Sequence, residues 1–257
     1  MIVESLAEKN VLINGIDINY RTLGQGMPFL ILHGWGSRSE KWQEVGRMIA
    51  EKGFKVIIPD LPGFGKSQTP KAPWDLDSYC GFVESFIKAI GLNRFYLSGH
   101  SFGGAVAVKY CLNFPGKIEK LFLIDAACFR RANHRKRIFY VIAKIFKIFH
   151  FLPLYNQLRK VFYKLIVGRS DYIDMEGVMK DSYLKIIRED LGSILSAVQT
   201  PTIIIWGEKD GITTTKEAYK INEEIKVSKL EIIPGVGHSP HRKTPEFLAG
   251  KILENLT

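Results

Sequence analysis

The sequence predicts an α/β fold: a mostly parallel, eight-stranded sheet with helices on both faces and an inserted helical cap. Three observations predict it. Short apolar segments alternate with helical segments over most of the 257 residues, which is typical of strand–helix–strand units. Several apolar segments are continuous, as expected of strands that are buried on both faces. The alternation stops after about residue 128 and resumes near residue 197, so one block is inserted into a single α/β core.

The individual elements follow from local patterns. The first two strands, 11–13 and 16–20, flank Asn14 and Gly15, a dipeptide that favours a two-residue hairpin turn. Apolar runs predict six more strands, at 28–32, 55–58, 94–97, 120–124, 201–206 and 229–233. Apolar residues at helical intervals predict helices near 39–52, 76–90, 104–113, 214–225 and 245–255. The predicted domains are 1–128 as the first part of the core, 129–196 as the cap, and 197–257 as the second part of the core.

A glycine-rich turn joins the fifth strand to the helix that follows it. Residues 99–103 read Gly-His-Ser-Phe-Gly. A sharp strand-to-helix turn leaves little space at its apex, so a Cβ atom at Gly99 or Gly103 would collide with neighbouring backbone. The apex residue Ser101 is then strained, with its hydroxyl above the sheet and near the positive end of the helix dipole. The alternative is a plain turn in which the serine only caps a helix.

A serine nucleophile needs a base and an acid, and two later loops can supply them. A serine hydroxyl is weakly nucleophilic until a base removes its proton. Functional side chains of parallel sheets lie beyond the carboxyl ends of the strands. Asp210 follows the seventh predicted strand and His238 follows the eighth. The chain order Ser101, Asp210, His238 is that of serine triads on such sheets, so we predict His238 as the base and Asp210 as the acid.

Two other carboxylates remain alternatives for the acid. Asp125 also follows a predicted strand, and Asp60 precedes a loop rich in Pro and Gly. The loop after Asp60 favours a turn-stabilising role for that carboxylate. Asp210 is preferred because its position in the chain suits a partner of His238.

The other histidines are expected to have different roles. His100 neighbours the nucleophile and is expected to be structural. His134 and His150 lie in the basic insert, and His241 lies in the turn after His238, where solvent-exposed positions are expected.

Acyl transfer from a serine also requires two donors for the oxygen of the tetrahedral intermediate. The main-chain N–H of Phe102, directly after the serine, is one predicted donor. The other is the N–H of Trp35, in residues 33–36 (His-Gly-Trp-Gly) after the third strand. The alternative for this segment is a glycine-rich turn with a packing tryptophan.

The cysteine content and the apolar runs of the sequence indicate which compartment and which cofactors to expect. Three cysteines without C-x-x-C pairing argue against a metal site or a disulfide framework and favour a reducing compartment. The N-terminus has no long apolar run of the kind found in secretory signals, and no apolar stretch reaches the roughly 18 residues of a spanning helix. We expect a cytoplasmic protein, with peripheral membrane contact as an addition.

The net charge of +10 is concentrated in the predicted cap, where residues 129–170 contain eleven Lys or Arg and no Asp or Glu. Residues 138–151 are apolar nearly all round. One interpretation is a lid helix with a solvated basic rim. The other is a surface that contacts anionic membrane and takes acyl-lipid substrates. Acidic substrates attracted by the charge are a further option, and nucleic acid is not expected because no binding motif accompanies the charge.

These motifs together resemble those of the α/β-hydrolase superfamily, in its serine-nucleophile, capped, esterase-like branch. The resemblance implies a serine hydrolase acting on carboxylic esters of apolar or lipid-like acyl groups, with no cofactor or metal. Dehalogenases and epoxide hydrolases of that superfamily carry an aspartate in place of Ser101, which disfavours those activities. Carbon–carbon bond hydrolysis remains an alternative, although such enzymes often have a tryptophan where this chain has Ser239. Acyl transfer and a non-catalytic ligand-binding role also remain open. The segments that carry the resemblance are 33–36, 60–67, 99–104, 207–210 and 235–238.

Overall fold

The computed structural model describes residues 6–130 and 177–256. Within them, eight strands form one sheet in the order β1-β2-β4-β3-β5-β6-β7-β8. The pairs β1/β2 and β2/β4 are antiparallel, and the other neighbours are parallel. The strands are β1 (Ala7–Ile13), β2 (Ile16–Leu23), β3 (Pro28–Leu32), β4 (Lys55–Pro59), β5 (Phe95–His100), β6 (Ile118–Ile124), β7 (Thr202–Gly207) and β8 (Ser228–Ile233). The predicted fold class is confirmed.

Helices cover both faces of this sheet. They are α1 (Gln43–Ala50), α2 (Leu76–Ala89), α3 (Phe102–Asn113), α4 (Gly177–Ile186), α5 (Thr215–Glu224), α6 (Pro240–Lys243) and α7 (Pro245–Leu253), with 3-10 turns at Ser39–Trp42 and Gly192–Ala197. Buried residues of α2, α3 and α5 belong to one apolar core, and those of α1 and α7 belong to the other. None of the helices in the described ranges is long and apolar enough to cross a membrane.

Strand β3 shows why the central apolar runs do not alternate with polar residues. Phe29 and Ile31 pack into the core under α1 and α7, whereas Leu30 and Leu32 pack into the core under α2 and α3. All four side chains are fully buried. Because successive strand residues point to opposite faces, a strand covered on both faces needs an apolar residue at every position.

The first hairpin is longer than the sequence predicts. Strand β1 begins at Ala7, and β2 continues to Leu23. The first four residues of β1 are exposed at the edge of the sheet. This part of the strand pairs with β2 through main-chain groups. Because its side chains are exposed, it lacks the apolar pattern from which a strand is predicted.

Of the predicted cap, the structure describes residues 129–130 and 177–196, and the second of these segments is attached to the core. The hydroxyl of Ser182 in α4 accepts a hydrogen bond from the Trp74 N–H at 2.9 Å, and the Glu189 carboxylate accepts one from the Leu76 N–H at 3.1 Å. Residues 131–176, including the basic apolar stretch 138–151, lie outside the described residues. The three-part domain division and the membrane contact of the cap therefore stay predictions.

Candidate active site

Ser101 lies at the junction of β5 and α3 in a strained conformation. Its φ of 52° and ψ of −116° are uncommon for a residue with a side chain. A Cβ atom on Gly99 would overlap the main chain of Gly103, and one on Gly103 would overlap the carbonyl of Leu32. Glycine at both positions therefore allows the tight turn that holds the serine at its apex.

The structure brings Ser101, His238 and Asp210 together although they are far apart in the sequence. Nε2 of His238 lies 3.0 Å from Oγ of Ser101, and Nδ1 lies 2.7 Å from Oδ2 of Asp210. The His238 side chain is 16 % exposed and that of Asp210 is fully buried. A carboxylate only accepts hydrogen bonds, so Nδ1 of His238 carries the proton and Nε2 can accept the hydrogen of Ser101.

The Asp210 carboxylate is surrounded by donors. Oδ1 accepts hydrogen bonds from the N–H groups of Ile212 (2.7 Å) and Thr213 (3.0 Å). Oδ2 lies 2.7 Å from the hydroxyl of Thr213, in addition to His238. Burial acts to raise the pKa of Asp210, but the hydrogen bonds and the proximity of His238 outweigh it, so the pKa lies below its usual value.

Thr213 is a residue of the site that the sequence analysis missed. Its side chain is buried, and its hydroxyl also lies 3.0 Å from the carbonyl oxygen of Asp125. An aspartate whose carboxylate accepts main-chain N–H groups two and three residues later is a common turn. The sequence Asp-Gly-Ile-Thr at 210–213 is compatible with that turn and could have predicted it.

The alternative acid, Asp125, makes no hydrogen bond with His238, whose Nδ1 is paired with Asp210. Its Oδ1 accepts a hydrogen bond from the N–H of Gly207 at 2.8 Å, whereas Oδ2 has no partner among the described residues. Burial, together with the nearby Asp210 carboxylate, raises the pKa of Asp125 to about 8. The third acid, Asp60, accepts hydrogen bonds from the N–H groups of Ser39 and Lys66 and so stabilises its own loop.

The loop after β3 lies directly beside Ser101. A Cβ atom on Gly34 would be 3.3 Å from Cβ of Ser101. His33 fixes this loop, because one ring nitrogen accepts the Leu61 N–H at 2.9 Å and the other donates to the carbonyl of Gly34 at 2.8 Å. Burial lowers the pKa of His33 and keeps it neutral for these two roles.

The same loop presents unused hydrogen-bond donors. The peptide unit that His33 holds by its carbonyl also carries the N–H of Trp35, which points the opposite way in a trans peptide. Within residues 6–130 and 177–256, the main-chain N–H groups of Trp35 and Phe102 have no acceptor. Both groups are therefore available for an oxygen atom bound near Ser101.

Aromatic side chains surround this loop. The Trp35 ring packs against Phe64, Phe102 and Tyr183, with centroid distances of 4.8, 5.2 and 5.3 Å. Tyr183 belongs to α4, so the last part of the predicted cap covers the loop. The indole Nε1 of Trp35 is buried without a partner among the described residues.

The predicted exposed position of His241 is wrong. His241 is 3 % exposed and stacks flat on Trp42, with ring centroids 4.3 Å apart and an interplanar angle of 5°. The short helix α6 turns this side chain under the His238 loop, a packing contact that local sequence does not reveal. Burial lowers the pKa of His241 to about 3.

One group of three residues has atoms that could approach a metal ion. In the described part of the chain, ligand atoms of His100, Asp125 and His238 lie within 4.8 Å of one another. Both nitrogens of His238 and Nε2 of His100 already make hydrogen bonds. A metal here would have to displace the interactions that connect His238 to Ser101 and Asp210.

Comparison with known proteins shows which fold family this chain resembles. Residues 27–147 match the family model described as alpha/beta hydrolase fold. The crystal structure of a bacterial membrane phospholipase A superposes with a TM-score of 0.78 at 25% identity, covering 98% of this chain and 86% of that one. This chain therefore has the α/β-hydrolase fold and is similar to proteins of that superfamily. The resemblance on which the sequence analysis relied is thereby confirmed.

Two sequence relatives span most of the length of this chain. The AB hydrolase superfamily protein YisY of Bacillus subtilis (strain 168) is 28% identical over 252 residues, covering 90% of this chain and 92% of that protein. Lipase 3 of Moraxella sp. (strain TA144) is 26% identical over 238 residues, covering 84% of this chain and 72% of that protein. Family and relatives together support hydrolase activity.

Proposed function

We propose that this chain is a serine hydrolase that cleaves carboxylic esters through Ser101, His238 and Asp210. The observation that carries the proposal is the continuous hydrogen-bond chain from the Ser101 hydroxyl through the His238 imidazole to the Asp210 carboxylate. A strained serine, an imidazole acceptor at 3.0 Å and a buried carboxylate behind it are what nucleophilic acyl transfer requires.

The first half-reaction forms an acyl-enzyme. Oγ of Ser101 attacks the carbonyl carbon of the ester, and its proton passes to Nε2 of His238. Asp210 stabilises the imidazolium that forms. Collapse of the tetrahedral intermediate breaks the bond to the alcohol oxygen, which takes the proton from Nε2 and leaves.

The second half-reaction uses the same groups with water. His238 removes a proton from water as the water oxygen attacks the acyl carbon. Collapse of the tetrahedral intermediate then breaks the bond between that carbon and Oγ of Ser101, Oγ takes the proton from Nε2, and the carboxylic acid leaves. In both tetrahedral intermediates the main-chain N–H groups of Trp35 and Phe102 donate to the oxyanion. Removal of one such donor typically costs about 3 kcal/mol of transition-state stabilisation.

Apolar or lipid-like acyl groups are the proposed substrates. The rings of Trp35, Phe64, Phe102 and Tyr183 form an aromatic wall next to the proposed oxyanion donors. An apolar wall favours an apolar acyl chain because contact removes both surfaces from water. The names Lipase 3 and phospholipase A of two similar proteins agree with this substrate class.

The test is labelling with a fluorophosphonate probe, followed by turnover of p-nitrophenyl esters graded by acyl length. We expect the wild type to label and Ser101→Ala to lose both labelling and about 10⁶-fold in kcat. Ser98→Ala, a buried serine three residues earlier in β5, is the matched control and should label normally.

Other results would select the other functions. Labelling without hydrolysis of any ester, but with transfer of the acyl group of an ester to an added alcohol, would indicate an acyltransferase. Labelling together with cleavage of a carbon–carbon bond in a diketone, and of no ester, would indicate a carbon–carbon bond hydrolase. A folded wild-type protein that does not label would contradict the proposal and favour a ligand-binding role.

A further inference from the structure

His100, the residue before Ser101, makes a direct contact with the loop of the proposed base. Its side chain is buried at the end of β5, and Nε2 lies 2.8 Å from the main-chain carbonyl oxygen of His238. A carbonyl oxygen can only accept a hydrogen bond. Nε2 of His100 therefore carries a proton and donates it to the backbone of His238.

The same ring contacts the loop that carries a proposed oxyanion donor. A Cβ atom added to Gly34 would lie 2.8 Å from Nδ1 of His100 and 3.2 Å from its Cε1. Nδ1 has no hydrogen-bond partner among the described residues. One edge of the His100 ring thus holds the His238 loop, and the other edge packs against Gly34, next to Trp35.

The surroundings of His100 keep it neutral. Its ring packs near Trp42 and His241, with centroid distances of 5.8 and 4.8 Å. Burial, followed by the neighbouring imidazoles of His241, His238 and His33, holds the pKa of His100 well below its usual value. A neutral donor is suitable here because the His238 ring, whose centroid is 5.0 Å away, becomes cationic during the proposed reaction.

We infer that His100 is a positioning residue: its Nε2–H holds the His238 backbone so that the His238 imidazole stays within hydrogen-bond distance of Ser101. The inference rests on the proposed function, because it assigns His100 a role in the reaction of that site. Its ring also supports Gly34, so one side chain sets the spacing of the loops on either side of the serine.

Variants separate the hydrogen bond from simple filling of space. His100→Met removes the donor and keeps most of the volume, whereas His100→Gln places an amide N–H near the position of Nε2. We expect His100→Met to lower kcat by about 10- to 100-fold, since small displacements of catalytic groups cost this much. KM should change by less than about 2-fold, because the His100 side chain is buried and offers almost no surface to a substrate. His100→Gln should recover most of the lost kcat.

The matched control is His241→Phe, which changes a second buried imidazole in the same cluster and keeps a ring that can stack on Trp42. The structure assigns His241 no hydrogen bond to the His238 carbonyl. We expect kcat within about 3-fold of wild type for this variant. Equal losses in His100→Met and His100→Gln, or a loss in His100→Met no larger than in the control, would overturn the inference.

A measurement that does not depend on activity keeps the inference separate from the proposed function. Nitrogen–proton NMR correlation of the imidazoles reports which ring nitrogen is protonated. We expect His100 to be the neutral form protonated at Nε2, and a proton on Nδ1 would overturn the inference whatever the activity. Failure of the folded wild type to label with the fluorophosphonate probe would refute the proposed function. Normal labelling with wild-type kcat in His100→Met would refute only the role of His100.

Discussion

Two buried aspartates follow neighbouring strands of the sheet, and their pKa values are shifted in opposite directions. Asp125 follows β6 and Asp210 lies in the loop after β7, and both are at most 5 % exposed. Asp210 accepts two main-chain N–H groups and has Thr213 and His238 at its other oxygen. Among the described residues, the Asp125 carboxylate accepts a hydrogen bond from the Gly207 N–H alone. The pKa of Asp210 is lowered, whereas burial raises that of Asp125 to about 8.

The difference teaches that burial alone does not decide which carboxylate can serve a triad, because the hydrogen-bond donors and the His238 ring beside Asp210 outweigh its burial. Burial disfavours the charged form of both carboxylates, because each loses contact with water. The loop at 210–213 turns its N–H groups inward and compensates that penalty, and the loop after Asp125 does not. Only an aspartate that stays ionised can stabilise an imidazolium, so the proposed function requires the acid that has the donors.

The largest expected effect is that of Asp210→Asn. The amide retains the size of the carboxylate, but it cannot stabilise an imidazolium and can favour the wrong tautomer of His238. We expect kcat for the best ester to fall by about 10⁴-fold with the fold intact, as judged by circular dichroism. If Asp210→Asn kept its activity and Asp125→Asn lost it, the assignment of the acid would be reversed.

A smaller effect is expected from Thr213→Val, which removes one hydroxyl from the surroundings of Asp210. The N–H bonds from Ile212 and Thr213 remain, because they come from the main chain. Loss of one hydrogen bond to a charged group corresponds to about 10-fold in kcat. Thr214→Val, at the exposed next position, is the matched control. Equal kcat in the two variants would show that the Thr213 hydroxyl does not support the acid.

Much of this comparison was accessible from the sequence. Ser101, Asp210 and His238 could be predicted as neighbours because each follows a strand of the parallel part of the sheet, and the carboxyl ends of parallel strands meet at one edge. The preference for Asp210 over Asp125 came from chain order alone, whereas the physical reason lies in hydrogen bonds that only the folded loop displays.

Contacts between distant segments could not be predicted. The hydrogen bond from His100 to His238 joins residues 138 positions apart, and no local pattern encodes it. The burial of His241 depends on stacking against Trp42, some 200 residues earlier in the chain. The local sequence around His241, Ser-Pro-His-Arg-Lys at 239–243, is polar and predicts exposure. That prediction is wrong because His241 is buried.

The smallest effect on turnover is expected from Asp125→Asn, and its main consequence is for stability. The amide oxygen can still accept the Gly207 N–H, so kcat should stay within about 3-fold of wild type. In the wild type the folded pKa of Asp125, about 8, lies above the ordinary value near 4. As pH rises from about 4 to 8, the unfolded chain loses this proton while the folded protein keeps it. The wild type therefore loses about 1.4 kcal/mol of stability per pH unit from this group.

Asp125→Asn lacks that titration, so its free energy of unfolding minus that of the wild type should increase with pH. We expect an increase of about 2 kcal/mol between pH 6 and pH 8, measured by urea unfolding at each pH. Asp17→Asn, at an exposed position in β2, is the matched control for replacing an aspartate by asparagine, and its change with pH is subtracted. A difference for Asp125→Asn that stays constant with pH after this subtraction would mean that the wild-type carboxyl is already ionised in the folded protein. Burial without donors would then not be what separates the two aspartates.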